Sequence, residues 1–112
     1  MNLRCFFISG ILLLAATGGE KGSLFIIGGG RRPAPMMQEF IRLAGGADRA
    51  RIIVVPNASS EPETSGIEQA ERFRELGVQD VRMVYLTRAE AEKETAASRF
   101  DDATGIFFTG GN

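Results

Sequence analysis

The sequence contains no histidine and a single cysteine, Cys5. Without histidine, these 112 residues cannot by themselves assemble a Ser-His-acid or Cys-His triad, nor a histidine-based zinc site. With one thiol they can form neither an internal disulfide nor a multi-thiolate metal site. Charge of one sign is equally scarce. Thirteen basic and fourteen acidic side chains give a formal net charge of −1, and the longest basic run is Arg31-Arg32. So small a cationic footprint excludes nucleic acid as an expected partner. The apolar run over residues 5–16 is 12 residues long, short of the roughly 18 needed to span a bilayer, so no stable membrane anchor is expected.

What the chain does hold is hydrophobic residues at 44% and fourteen glycines, the composition of one compact domain with many tight turns. Arg4 precedes the apolar run, and Ala16-Thr17-Gly18 follows it, ahead of Glu20 and Lys21. A basic start, a short apolar stretch and small residues form the pattern of a secretory signal. Residues 1–18 are read as that signal, which would make the mature protein secreted or periplasmic from Gly19. The competing reading is a buried first strand or helix of the fold.

Beyond Lys21, short apolar runs alternate with helical patterns. Residues 23–27, closed by Gly28-Gly29-Gly30, read as a strand buried on both faces. Residues 35–44 carry Met36, Met37, Phe40, Ile41, Leu43 and Ala44 close to helical spacing, with Gly45-Gly46 as the stop. Residues 51–55 are a second strand ended by Pro56, and residues 57–65 a loop. A helix follows with Ile67, Ala70, Phe73 and Leu76 on its apolar face and Gly77 after it. Residues 80–86 form a third strand. Residues 87–98 form one exposed helix or two short ones, with Thr87 or Thr95 as caps. Residues 104–109 form a fourth strand that runs into Gly110-Gly111-Asn112. The alternation predicts an α/β domain with a doubly wound parallel sheet, its ligand crevice outside the carboxyl ends of the strands. Ile26, Ile27, Ile53, Val54, Val55, Ile106, Phe107 and Phe108 are the expected core, with Phe107 and Phe108 on opposite faces and at least one of them incompletely covered.

The strand-end loops hold the candidate chemistry. Gly28-Gly29-Gly30-Arg31-Arg32-Pro33 sits where a dinucleotide-binding turn would, but Pro33 replaces the third glycine. Pro56-Asn57 stands where that motif needs an acid, so nucleotide is not the expected ligand. Ser59 and Ser60 lie outside any G-x-S-x-G elbow and have no base to activate them, so they read as turn formers and caps. Gly110 and Gly111 let backbone N–H groups face the crevice beside Asn112. On the residues alone this is either a set of oxyanion donors or another glycine-rich turn.

Taken together, LFIIGGGRRP (24–33), LAGG (43–46), ARIIVVPNASSEP (50–62) and ATGIFFTGGN (103–112) resemble the cyanophycinase-like serine peptidases, a family that includes aspartyl dipeptidases. The resemblance runs from about Gly22 to the end and covers the first part of the family's domain. It implies that residues 19–112 are the N-terminal part of a hydrolytic domain with a class I glutamine amidotransferase-like fold, truncated after the fourth strand. It further implies a serine nucleophile in an elbow, with histidine and acid, all lying downstream, so that no catalytic residue falls in this chain. By the family's F-x-G-G-[DN]-Q motif, Gly110, Gly111 and Asn112 would serve the oxyanion and the substrate, while Gly29, Gly30 and Arg31 line the opposite wall of the crevice. The implied substrate is cyanophycin, an aspartyl-arginine polymer cut to β-aspartyl-arginine dipeptides. The alternatives are an aspartyl dipeptidase of the same family and a non-catalytic α/β module for a small ligand. No metal or organic cofactor is implied.

Overall fold

The computed structural model describes residues 21–111. The signal expected over residues 1–18 and the site residue Asn112 lie outside the described residues. A three-stranded parallel sheet, in the order β2-β1-β3, organises the chain. Its strands are β1 (Arg51–Val55), β2 (Asp80–Met83) and β3 (Gly105–Phe108). Around it lie helices α1 (Ala34–Leu43), α2 (Pro62–Glu75) and α3 (Arg88–Ala91), and a 3₁₀ helix, Glu94–Phe100. Ile52 pairs with Val81 on one side and Gly105 on the other. As the central strand, β1 is therefore buried from Ile52 onward.

The sheet has a layer on each face. On one face Ile52, Val54, Val81 and Phe107 pack with Met37, Ile41, Ala70 and Phe73 of α1 and α2. Phe40, Phe73 and Phe107 tie α1, α2 and β3 together, with ring centroids 5.6, 5.5 and 5.3 Å apart. Two of those three contacts are edge-to-face, the arrangement aromatic quadrupoles favour. On the other face Ile53, Val55 and Val84 meet Leu86, Phe100 and Ala103. Each buried aliphatic side chain of β1 contributes about 1.5–3 kcal/mol relative to exposure. Period 2 puts Phe107 and Phe108 on opposite faces, and Phe108 is left 71% exposed.

Residues 23–27 do not form the expected first strand, so the sheet has three strands where four were expected. The segment is extended and joins no ladder. Its side chains alternate: Phe25 and Ile27 are half-buried, whereas Leu24 and Ile26 are exposed. Phe25 reaches Phe40 at 6.2 Å, and Ile27 packs on the α1/α2 core. A continuous apolar run predicts burial on both faces, but a strand exists only through its backbone partner, and β3 supplies none here. Ile26 and Ile106 are accordingly surface residues rather than core.

Three boundaries also differ. Helix α2 begins at Pro62, inside the expected loop, because Pro62 holds a helical φ where the first-turn N–H needs no partner. Its buried face is Gly66, Gln69, Ala70 and Phe73, so Ile67 points outward at 56% exposure. Strand β2 ends at Met83. The Val84 N–H still bonds the Val54 carbonyl at 2.9 Å, but Pro56 has no N–H to carry the ladder on. Residues 87–98 resolve into two short helices. Thr87 caps the first in a reciprocal box with Glu90, and the second starts after Lys93 rather than Thr95. Among the described residues no helix is long and apolar enough to cross a membrane.

Candidate functional site

The carboxyl ends of β1 and β3 bring their loops into contact. Beyond Val55 the chain turns at the buried Pro56, whose carbonyl accepts from the Ser59 N–H at 3.0 Å. Asn57 holds the next strand's exit: its Nδ2 donates to the Leu86 carbonyl at 2.6 Å, and its Oδ1 accepts from the Leu86 N–H at 3.5 Å. Ser59 is a turn residue. Its Oγ lies 2.6 Å from Ser65 Oγ and accepts from the Glu61 N–H at 3.1 Å, which pins the entry to α2.

Gly111 lies directly against this loop. A Cβ at Gly111 would collide with the Ala58 carbonyl oxygen and come within 3.3 Å of the Ala58 carbonyl carbon. Only glycine allows so close an approach. Gly110, by contrast, has open space on the side a Cβ would occupy.

Along β3 runs an open groove of about 940 Å³. Its walls are the extended segment 22–30 on one side and residues 103–111 on the other, with Phe40 of α1 and the α2 residues Ser65, Glu68, Gln69 and Arg72 completing it. Gly29, Gly30, Gly110 and Gly111 all line this groove. Arg31 does not: Gly30 turns the chain at a φ of +105°, Arg31 is exposed, and Arg32 takes the place at the wall. The Arg32 guanidinium sits 5.7 Å from the Phe107 ring centroid, and Arg72 Nη2 donates to the Arg32 carbonyl at 3.3 Å.

The perturbed carboxylates lie elsewhere. The Arg82 guanidinium, 2.7 Å from Asp102, holds that carboxyl below its ordinary range. The backbone N–H of Thr87 does the same for Glu90. Neither carboxylate lines the groove. Sequence reasoning missed Gln69 and Thr109. Both line the groove and are buried, 3% and 8% exposed, and Gln69 Nε2, Gln69 Oε1 and Thr109 Oγ1 have no hydrogen-bond partner among the described residues.

Comparison with curated proteins finds cyanophycinases among the relatives. The chain is 39% identical over 98 residues to the cyanophycinase of Synechococcus elongatus, an alignment spanning 84% of this chain and 30% of that protein. It is 31% identical over 96 residues to the cyanophycinase of Geminocystis herdmanii, covering 82% of this chain and 35% of the relative. For the cyanophycinase of Trichormus variabilis the identity is 28% over 96 residues, with 82% and 32% covered. The chain thus spans about a third of the length of the relatives it matches. No family model matches the chain, and no solved structure does.

Proposed function

We propose that this chain, a homologue of the cyanophycinases over most of its length, forms one side of the active site of a serine-type peptidase that cuts cyanophycin to β-aspartyl-arginine dipeptides. The complete domain would take a class I glutamine amidotransferase-like fold. In this reading the nucleophile, the histidine and the acid are not among these 112 residues, which contain no histidine at all. The chain's own share is electrostatic and steric. The N–H groups of the Gly110-Gly111 turn would face the developing oxyanion, while Gly29 and Gly30 keep the opposite wall low enough for a peptide to enter. Export through residues 1–18 would put the enzyme outside the cytoplasm.

The observation that carries the proposal is the seating of Gly111 on Ala58, which fixes the glycine turn after β3 against the loop after β1 at the strand ends. The test is release of β-aspartyl-arginine from cyanophycin. The 112-residue chain alone is expected to release none. The chain continued through a G-x-S-x-G elbow and a histidine is expected to release it. In that longer chain Gly111→Ala keeps its N–H but forces a Cβ against Ala58, so the turn and its donors must shift, and kcat should fall on the order of 10²-fold, the size of a lost oxyanion donor. No release by the longer chain, or release untouched by Gly111→Ala, would overturn the proposal.

A further inference from the structure

Gln69 and Thr109 break a rule that the rest of the described core obeys. Buried side-chain polar atoms in native folds have hydrogen-bond partners, because leaving one unpaired forfeits its hydration with nothing in exchange. Among the described residues the buried polar side-chain atoms without a partner number three, and all belong to these two residues. Both residues line the same groove. Gln69 occupies the buried face of α2 with Gly66, Ala70 and Phe73, where leucine or methionine would pack without that cost. Thr109 lies one step beyond β3 on the face of Phe107, held there by its N–H bond to the Val55 carbonyl at 3.1 Å.

We infer that Gln69 and Thr109 are a paired hydrogen-bonding anchor for the backbone of an extended peptide lying in the groove along β3. The chemistry of the orphaned atoms selects the ligand. An anion would satisfy Nε2 and leave Oε1 bare, and a cation would do the reverse. A peptide group offers an N–H and a C=O together, which match a carboxamide in both directions, and the threonine hydroxyl takes either role. The groove, at about 940 Å³, is large enough for several residues, and Phe25, Ile27, Phe40 and Phe107 supply apolar wall. At the α2 wall Glu68 and Arg72 flank Gln69, and Arg32 stands over Phe107. Both signs of charge are thus available to a peptide that carries both. One wall of the groove, residues 22–30, joins no ladder, and the anchor as proposed requires that wall to shift, because the orphaned atoms are buried in the free chain.

The anchor is read from the side chains. Only the identity of the peptide, an aspartyl-arginine substrate, rests on the proposed peptidase function. The test uses the 112-residue chain at micromolar concentration, with β-aspartyl-arginine and an end-blocked dialanine as probes. Binding is followed by equilibrium dialysis and by the shift in melting temperature. The unaltered chain is expected to bind β-aspartyl-arginine saturably. Gln69→Leu should melt higher than the unaltered chain, because a buried unpaired amide is gone, and yet bind at least tenfold more weakly. Thr109→Val should weaken binding in the same direction. Equal binding of both probes, lost in both variants, would uphold the anchor and count against an aspartyl substrate. Binding of β-aspartyl-arginine that Gln69→Leu leaves within twofold would sink the anchor and keep the peptidase reading. No binding of either probe, or a Gln69→Leu chain that melts lower, would overturn the inference.

Discussion

Replacing Gly66 by alanine sets two effects of similar size against each other. Gly66 lies inside α2, where alanine is favoured over glycine by about 1 kcal/mol. Against that, a Cβ at Gly66 would collide with Met83 Sδ and come within 2.9 Å of Met83 Cγ and 3.1 Å of Pro56 Cγ. Methionine is flexible and can swing aside. Pro56 cannot, because its ring is fully buried and its backbone directly follows β1. The helix must therefore lift from the sheet by a few tenths of an ångström, an overpacking that costs about 1–3 kcal/mol. The helix gain offsets only part of that. We expect Gly66→Ala to destabilise by about 1 kcal/mol, a fall in Tm of about 4–8 °C for a domain of this size. Met83→Ala would remove the Met83 overlap but not the one with Pro56, so the double variant should recover part of the loss, a coupling of about 0.5 kcal/mol in a double-mutant cycle. Thermal and urea unfolding followed by circular dichroism measure both. A Gly66→Ala chain that melts higher, or a cycle with no coupling, would refute the claim that close approach of α2 to Met83 and Pro56 outweighs helix propensity.

Two further outcomes follow from features on the surface and at the start of the chain. Asp102 is held below its ordinary value of 3.8 by Arg82, so its contribution to stability is complete above pH 3.8 and is lost as pH falls through the lowered folded-state value. Asp102→Asn should remove that part of the acid dependence below about pH 4, and equal acid sensitivity in both chains would discount the pair. Residues 1–24 fused to a reporter should export it with cleavage near Gly18, as their basic, apolar and small-residue order predicts. A reporter that stays in the cytoplasm uncut would assign the apolar run to the fold.

What the sequence made legible was what local chemistry decides. The β-branched run at 51–55 could hardly be other than a buried strand, and Thr87 with Glu90 three residues on is a cap that needs no tertiary partner. What escaped depended on distant chain. Residues 23–27 have the composition of a strand, but pairing is a decision shared with β3, and the two do not join. On α2 the expected stripe includes Ala70, Phe73 and Leu76 as found, but its first turn was read from Ile67, because Gly66 and Gln69 look like solvent-facing residues. Gly66 is buried because Met83 and Pro56 press on it. Gln69 is buried with its amide unpaired, which no hydrophobic periodicity could signal.

The central place of β1 also sets the order in which the sheet can form. Its two neighbours both come later in the chain, so β1 has both of its edges open until they arrive. Pairing Ile52 with Val81 closes a loop of 29 residues, and pairing it with Gly105 closes one of 53. Loop-closure entropy rises by about 0.6 kcal/mol for each doubling of length, so the β1–α2–β2 unit closes at the lower cost and β3 docks onto a pair already made. The seam between β1 and β3 is then the last to zip and the first to part. In amide exchange the N–H groups of Thr104 and Thr109, which bond across that seam to Arg51 and Val55, should open before that of Val84, which bonds to Val54 on the β2 side. The groove runs along the half of the sheet that breathes.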